Sequence, residues 1–233
     1  MVSNLVRTLL GFPEIARIVV TLNIPELMAL PAHSRVQVVE NAFPKGFAAN
    51  HNAAFRQCAE PYFCPLNPDI EFDQNPFPVL LEALCRSGAA VIAPLVKSPQ
   101  GEIEDSIRRF PTPSSLLRKA LGRNDGRYVV QEGQPAFFPE WVGGMFMLFK
   151  SRDFGALKGF DEAYYLYYED VDICLRAWRQ GMSVLAFPQV SVIHDARRAS
   201  RAGLRHLRWH LTSLGRFLWK YWGRLPKVTD DFR

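Results

Sequence analysis

Between Phe160 and Arg176 the chain sets five carboxylates, Asp161, Glu162, Glu169, Asp170 and Asp172, among closely spaced aromatics and then enters a helical pattern. Val171, Cys174, Leu175 and Trp178 follow the i, i+3, i+4, i+7 spacing of one apolar helix face, and Gly181 is a natural stop. Glu169, Asp170 and Asp172 therefore fall in a first helical turn. Carboxylates there gain from the helix dipole and from unpaired backbone N–H groups, so cap and dipole roles account for each one singly. Asp172 also stands four residues before Arg176, the spacing of an ordinary helical ion pair. Packing so many acids beside an apolar stripe is costly unless the charges have a task, and the rest of the chain shows which.

Tyr62-Phe63-Cys64 is a short apolar run of strand character, and Asn67-Pro68-Asp69 is the turn after it. An aspartate at a strand end can meet a hard cation and a diphosphate, because Mg²⁺ and Mn²⁺ prefer oxygen ligands and usually keep water or phosphate in their shell. His194 closes the run Val190-Ser191-Val192-Ile193, where a lone histidine is either a satisfied structural residue or a ligand. Trp141-Val142-Gly143-Gly144 permits tight backbone packing or close approach of a substrate. Asn50 and Asn52 follow Gly46 in a segment entering a helix, where helix capping explains them equally well.

These segments, taken in order, resemble family 2 glycosyltransferases, especially their rhamnosyltransferase-like branch. The likeness is carried by Lys45-Gly46-Phe47-Ala48-Ala49-Asn50-His51-Asn52, Leu66 to Asp69, Trp141 to Leu148, Gly159 to Glu162, Tyr168 to Asp172, and His194. It implies an α/β GT-A fold, with a mostly parallel central sheet flanked by helices, over residues 1–195. It further implies an enzyme that moves a sugar, rhamnose in this branch, from a nucleotide-diphospho-sugar to a hydroxyl with inversion. By the same resemblance Asp170 is the general base with Glu169 beside it, and Asp69 is the last acid of a DxD-type metal motif whose first position is Asn67. Mg²⁺ or Mn²⁺ would be held by Asp69 and His194. Gly46, Asn50, Asn52, Asn67 and Asp69 would line the nucleotide side, and Trp141, Gly143, Gly144, Asp161, Glu162 and Asp172 the sugar and acceptor side. The chemistry asks for these types, since a hydroxyl needs a carboxylate to take its proton and a leaving diphosphate needs positive charge.

Members of the family open with an apolar strand that this chain lacks. Leu5 to Leu10 read as the first helix and Arg17 to Asn23 as the second strand, with Leu22-Asn23 where an Asp-Asn pair would stand. The expectation is that Met1 is an internal methionine of a longer product. Pro94 to Pro139 reads as a polar excursion in which Arg108 and Arg109 are solvated charges or diphosphate contacts.

At 233 residues and 48% hydrophobic content the chain can bury a large core. Its four cysteines lack CxxC spacing and read as reduced packing residues of a cytoplasmic protein. Residues 196–229 hold nine Lys and Arg and no acid, so the other 19 Lys and Arg face 23 acids and the net charge of +5 is local to the tail. Within residues 196–233, Leu204, Leu207, Leu211, Leu214 and Leu218 recur at helical spacing beside Arg205, Arg208, Trp209, Arg216, Trp219 and Lys220. Such a basic amphipathic helix either packs its leucines on the catalytic domain or lies on an anionic membrane surface, at the inner face where lipid-linked or glycan acceptors of polysaccharide synthesis are presented. A basic face without a recognition motif argues against nucleic acid. Two rivals stand beside the transferase reading: a non-catalytic or truncated glycan- or membrane-binding relative, and a nucleotidyltransferase, whose glycine- and lysine-rich loop is missing here.

Overall fold

The computed structural model describes residues 1–122, 126–194, 204–226 and 228. In chain order its elements are α1 (Val2–Leu10), β1 (Ile18–Leu22), β2 (Val36–Glu40), α2 (Phe47–Phe55), β3 (Tyr62–Phe63), β4 (Ile70–Glu71), α3 (Phe77–Ser87) and β5 (Val91–Lys97). They continue with β6 (Ile107–Arg108), α4 (Pro113–Ala120), β7 (Trp141–Val142), β8 (Leu148–Lys150), α5 (Ser151–Ala156), α6 (Glu169–Arg179), β9 (Val184–His194) and α7 (Leu204–Tyr221).

The centre is the parallel ladder of β5 and β9. The first six residues of β5 are all buried, as a strand covered on both faces requires. Because successive side chains point to opposite faces, Val91, Ala93, Val184 and Ala186 enter one core while Ile92, Leu185 and Phe187 enter the other. The first core is closed by α6 with residues of α2, α5 and α7, the second by α1 and α3. Register slips where Pro94 pairs Phe187 but Leu95 pairs Ser191, a bulge at a proline that has no N–H to give the ladder.

The long ladders, β5–β9 and β1–β2, are parallel, as expected. The short strands β3, β8 and β4 pair antiparallel in a five-stranded sheet of order β3-β8-β5-β9-β4. β1 and β2 form a sheet of their own, joined to the neck before β3 by side chains rather than by a ladder: Arg17 reaches Glu60 at 3.3 Å and the Gln57 carbonyl at 3.0 Å.

Residues 195–203, which contain the expected boundary at 195/196, lie outside the described residues, while α7 beyond them packs on the catalytic core. Phe217 and Tyr221 belong to the same core as α6, and Ser213 is buried with them. Among its leucines, Leu204, Leu207 and Leu211 face solvent, at 87%, 55% and 56% exposure, so they do not pack on the domain.

What holds α7 is a buried knot around Asp172, which is fully inaccessible. Its carboxylate accepts from Arg176 Nε at 2.6 Å, Lys220 Nζ at 2.6 Å and the Tyr221 hydroxyl at 2.7 Å. Lys220 also reaches Asp161 at 2.7 Å, and Arg176 reaches the Gly159 carbonyl at 2.8 Å. Removing the shared acceptor leaves two cations without it, so Asp172→Ala is expected to lower stability by roughly 3 kcal/mol in urea unfolding; a change below about 1 kcal/mol would show that the knot contributes little.

Candidate active site

Two consecutive residues with left-handed backbone, Tyr167 and Tyr168, both at φ 70°, turn the chain into α6. Each such residue costs on the order of 1–3 kcal/mol unless its surroundings impose it. Here α7 does so: Ser213 Oγ donates to the Leu166 carbonyl at 2.9 Å, Tyr167 Oη lies 2.9 Å from His206 Nδ1, and the Tyr168 ring lies against His210 and Phe217. The turn delivers Glu169 and Asp170 to the wall of a cavity of about 280 Å³.

Asp170 accepts from the Gly144 N–H at 2.9 Å and the Val171 N–H at 2.8 Å. Burial raises its carboxyl above the ordinary aspartate range, with those N–H bonds opposing the rise. Glu169 is 4% exposed, and its Oε2 is buried with no hydrogen-bond partner. Burial first, then the neighbouring charge of Asp170, drives Glu169 well above the usual range. Both carboxyls are thus pushed toward the protonated form, Glu169 the further, which leaves Asp170 the readier of the two to ionise.

Asn67 lines the same cavity and leads to a second polar corner. β4 pairs with the end of β9, setting Ile70 opposite His194 and bringing Asp69 Oδ1 to 3.3 Å from His194 Nε2. Asn67 Nδ2 is 3.4 Å from the same nitrogen. On the other side of the ring, Nδ1 lies 2.9 Å from Glu104 Oε2. Burial opposes charge on His194, but its hydrogen bonds with Asp69 and Glu104 and their negative charge outweigh it and raise the imidazole to about 9.

The corner tests whether a divalent cation fits. A carboxylate on Nδ1–H leaves Nε2 facing Asp69 Oδ1, a buried oxygen with no polar partner besides that nitrogen among the described residues. Two such acceptors need a cation between them, either the proton that raises His194 or a metal ion. Asp69 and His194 therefore suit a divalent ion that takes its other ligands from water and substrate. Among the described residues no group of three His, Cys, Asp or Glu is arranged to hold a metal by itself.

Of the residues expected at the site, Asn67, Trp141, Gly144, Glu169 and Asp170 meet on the cavity wall, and Asp69 and His194 adjoin it through Asn67. The others are placed elsewhere, for physical reasons. Asp172 and Asp161 belong to the Lys220 knot rather than to an acceptor site. Asn52 is buried and staples α2 to Phe160, giving to its carbonyl and taking its N–H, both at 2.9 Å, and also reaches Glu162 at 3.0 Å. Gly46 is glycine because a Cβ there would come within 2.3 Å of the Tyr165 carbonyl oxygen. At Gly143 a Cβ would press on Met145 Sδ at 2.9 Å. Asn50 joins an amide cluster in which Asn41 Nδ2 gives to Asn50 Oδ1 at 2.8 Å and to Asn23 Oδ1 at 3.0 Å.

The fold also brings in residues that sequence reasoning missed. Glu104 orients His194, and His210 and Lys119 line the cavity beside Arg108 and Arg109. Charge in the polar excursion was visible, but which charges turn inward depended on β6 pairing with β7.

An α/β scaffold that brings a buried carboxylate pair and basic residues to one cavity, with an Asp–His corner adjoining it, suits group transfer from phosphorylated donors. Residues 24–140, half the chain, match the model of the family described as Glycosyl transferase family 2, and residues 130–200 match one described as N-terminal domain of galactosyltransferase. The chain belongs to glycosyltransferase family 2. It is 29% identical over 184 residues to rhamnosyltransferase WbbL of Escherichia coli, an alignment covering 74% of this chain and 70% of that protein. It is 30% identical over 165 residues to the N-acetylglucosaminyl-diphospho-decaprenol L-rhamnosyltransferase of Mycobacterium tuberculosis, covering 65% of this chain but only 53% of that one. Among solved structures, GalNAc-T7 with UDP, GalNAc and Mn²⁺ superposes over 78% of this chain and 37% of its own with a TM-score of 0.60 at 16% identity, which establishes the shared GT-A fold.

His194 provides a pH test of this corner in metal-free protein. Its folded value of about 9 lies above the ordinary histidine value of 6.5, so its stabilisation is fully present below pH 6.5 and is lost as pH rises through 9. Unfolding measured at pH 6 and pH 10 should show wild type losing up to roughly 3 kcal/mol more than His194→Gln. Parallel losses in the two proteins would contradict the arrangement.

Proposed function

We propose that the chain transfers a sugar, rhamnose by the standing of its curated relatives, from a nucleoside-diphosphate donor to a hydroxyl of a glycan or lipid-linked acceptor, with inversion. The observation that carries this reading is Asp170: a raised carboxylate, held by two backbone N–H groups, on the wall of a cavity whose lining residue Asn67 adjoins the Asp69–His194 corner. A carboxylate of raised basicity is a better acceptor for a hydroxyl proton. Glu169 is pushed further toward its protonated form than Asp170, so Asp170 is assigned the acceptor's proton. A single base working opposite the leaving group suits direct displacement, which inverts the anomeric carbon.

Asp69 and His194 would hold Mg²⁺ or Mn²⁺, which when bound neutralises charge on the leaving diphosphate. Support comes from the facing acceptors of that corner and from the Mn²⁺ in the fold relative. Arg108, Arg109 and Lys119 add positive charge in the same cavity. The amides of Asn23, Asn41 and Asn50 lie just past the carboxyl ends of the parallel strands β1 and β2, where ligands of open α/β sheets bind, and are assigned to the nucleotide.

No described helix is long and apolar enough to cross a membrane. The outward leucines of α7, with Arg205, Arg208 and Arg216 and no acid among them, support peripheral binding to an anionic inner membrane face. One relative is named for a decaprenol-linked acceptor, which such a position would suit.

Asp170→Asn is expected to lower kcat by about 10²–10⁴-fold while nucleoside diphosphate still binds. The acid limb of the wild-type pH–rate profile should lie above the ordinary aspartate pKa of about 3.9, because Asp170 must be ionised and its value is raised. Calorimetry with UDP and dTDP should show Mn²⁺-dependent binding that Asp69→Ala abolishes. Turnover of Asp170→Asn within about tenfold of wild type would remove Asp170 from the role of base.

A further inference from the structure

A second cavity, of about 260 Å³, lies where α7 meets the segment leading into α4. Its wall is apolar: Pro111 and Pro113 on one side, Phe217, Leu218, Trp222 and Leu225 on the other. Among the described residues no charged side chain lines it, and the one hydroxyl there, that of Tyr221, is committed to Asp172. A sugar or a phosphate would find no partner there, whereas hydrocarbon would lose water at no cost in broken hydrogen bonds.

The position is as informative as the lining. Pro111 borders both cavities, so the apolar one lies next to the catalytic one. On the catalytic side of Pro111 the wall carries Arg109 and Lys119. On the far side the rim is Leu218 of α7, the helix that turns Leu204, Leu207 and Leu211 outward, and the 71% exposed Trp222 just past its end. Passing outward, the surface thus presents a carboxylate base, cationic groups, an apolar cavity and an apolar, basic helix face. One type of molecule matches that order: an amphiphile whose hydroxyl-bearing head is joined through an anionic linker to a hydrocarbon tail.

We infer that the cavity between Pro111 and Trp222 is a tail subsite, holding the first hydrocarbon segment of an anionic, lipid-type acceptor whose head lies at Asp170. The inference rests on the acceptor reading of the catalytic cavity. It assigns to α7 a direct role in acceptor choice, beyond closing the core.

Calorimetry with geranyl diphosphate, kept below its aggregation threshold and without detergent, and with inorganic pyrophosphate as the tail-less probe isolates the tail contribution. Wild type is expected to bind the tailed probe at least about tenfold more tightly, the gain from burying only a few methylene groups. Leu218→Gln with Trp222→Gln should bring the two affinities within about twofold of each other. The same paired variant should bind nucleoside diphosphate as wild type does, which shows that it is folded. Leu207→Ser with Leu211→Ser, on the outward face away from the cavity, should keep the wild-type ratio.

A wild-type ratio short of tenfold, or no binding of the tailed probe, would overturn the assignment. So would a preference that survives in the Leu218 and Trp222 variant, or one lost only in the Leu207 and Leu211 variant, which would put the tail on the helix surface. Failure of the catalytic reading shows separately, as unimpaired turnover in Asp170→Asn, and leaves the affinity ratio to decide the subsite.

Discussion

The backbone of Gly144 and Met145 stands between the two halves of the catalytic cavity and fastens both. Gly144 gives its N–H to Asp170, and Met145 takes the N–H of Asn67 on its carbonyl at 2.9 Å. The next residues, Phe146 and Met147, are buried in opposite cores and lead into β8, an interior strand of the sheet. Asp170 and Asn67, the neighbour of the Asp69–His194 corner, are therefore set relative to each other by backbone groups of the turn before β8. Preorganisation of this kind lets a site hold a proton acceptor and a charge-stabilising group in register without spending binding energy on arranging them.

The same logic of confronted charges recurs in both halves. Asp69 faces His194 across 3.3 Å, and Glu169 adjoins Asp170 in sequence and in the cavity. At the first, two acceptors face one position for a proton or a divalent ion; at the second, burial and the neighbouring charge push Glu169 further toward its protonated form than Asp170. α7 supports the second confrontation from behind, imposing the left-handed turn at Tyr167 and Tyr168 and tying α6 through Asp172.

Much of this was legible in the sequence because it is local. The apolar spacing after Tyr168 marks α6 within a residue, and the turn at Asn67-Pro68-Asp69 marks the strand end that faces His194. Other features depend on contacts that no local pattern encodes. Glu104 reaches His194 across 90 positions because its N–H is hung on the Val96 carbonyl at the end of β5. Asp172 resembles its acidic neighbours by position, yet one step of the helix turns it from the cavity into the core. Gly46 and Asn52 carry a family motif while serving the packing of α2 against residues 160–165. The leucine period in the tail identified a helix but not its inner face, which is set by Ser213, Phe217 and Tyr221.

A crystal structure with dTDP or UDP and Mn²⁺ bound tests the central claim most directly, that one cavity joins the base to a cation corner. The account predicts Mn²⁺ on Asp69 and His194, with Glu104 retained on Nδ1, the diphosphate on the Asn67 side of the cavity and Asp170 still held by the Gly144 N–H. Nucleotide bound away from Asn67, or Mn²⁺ held by other side chains, would contradict it.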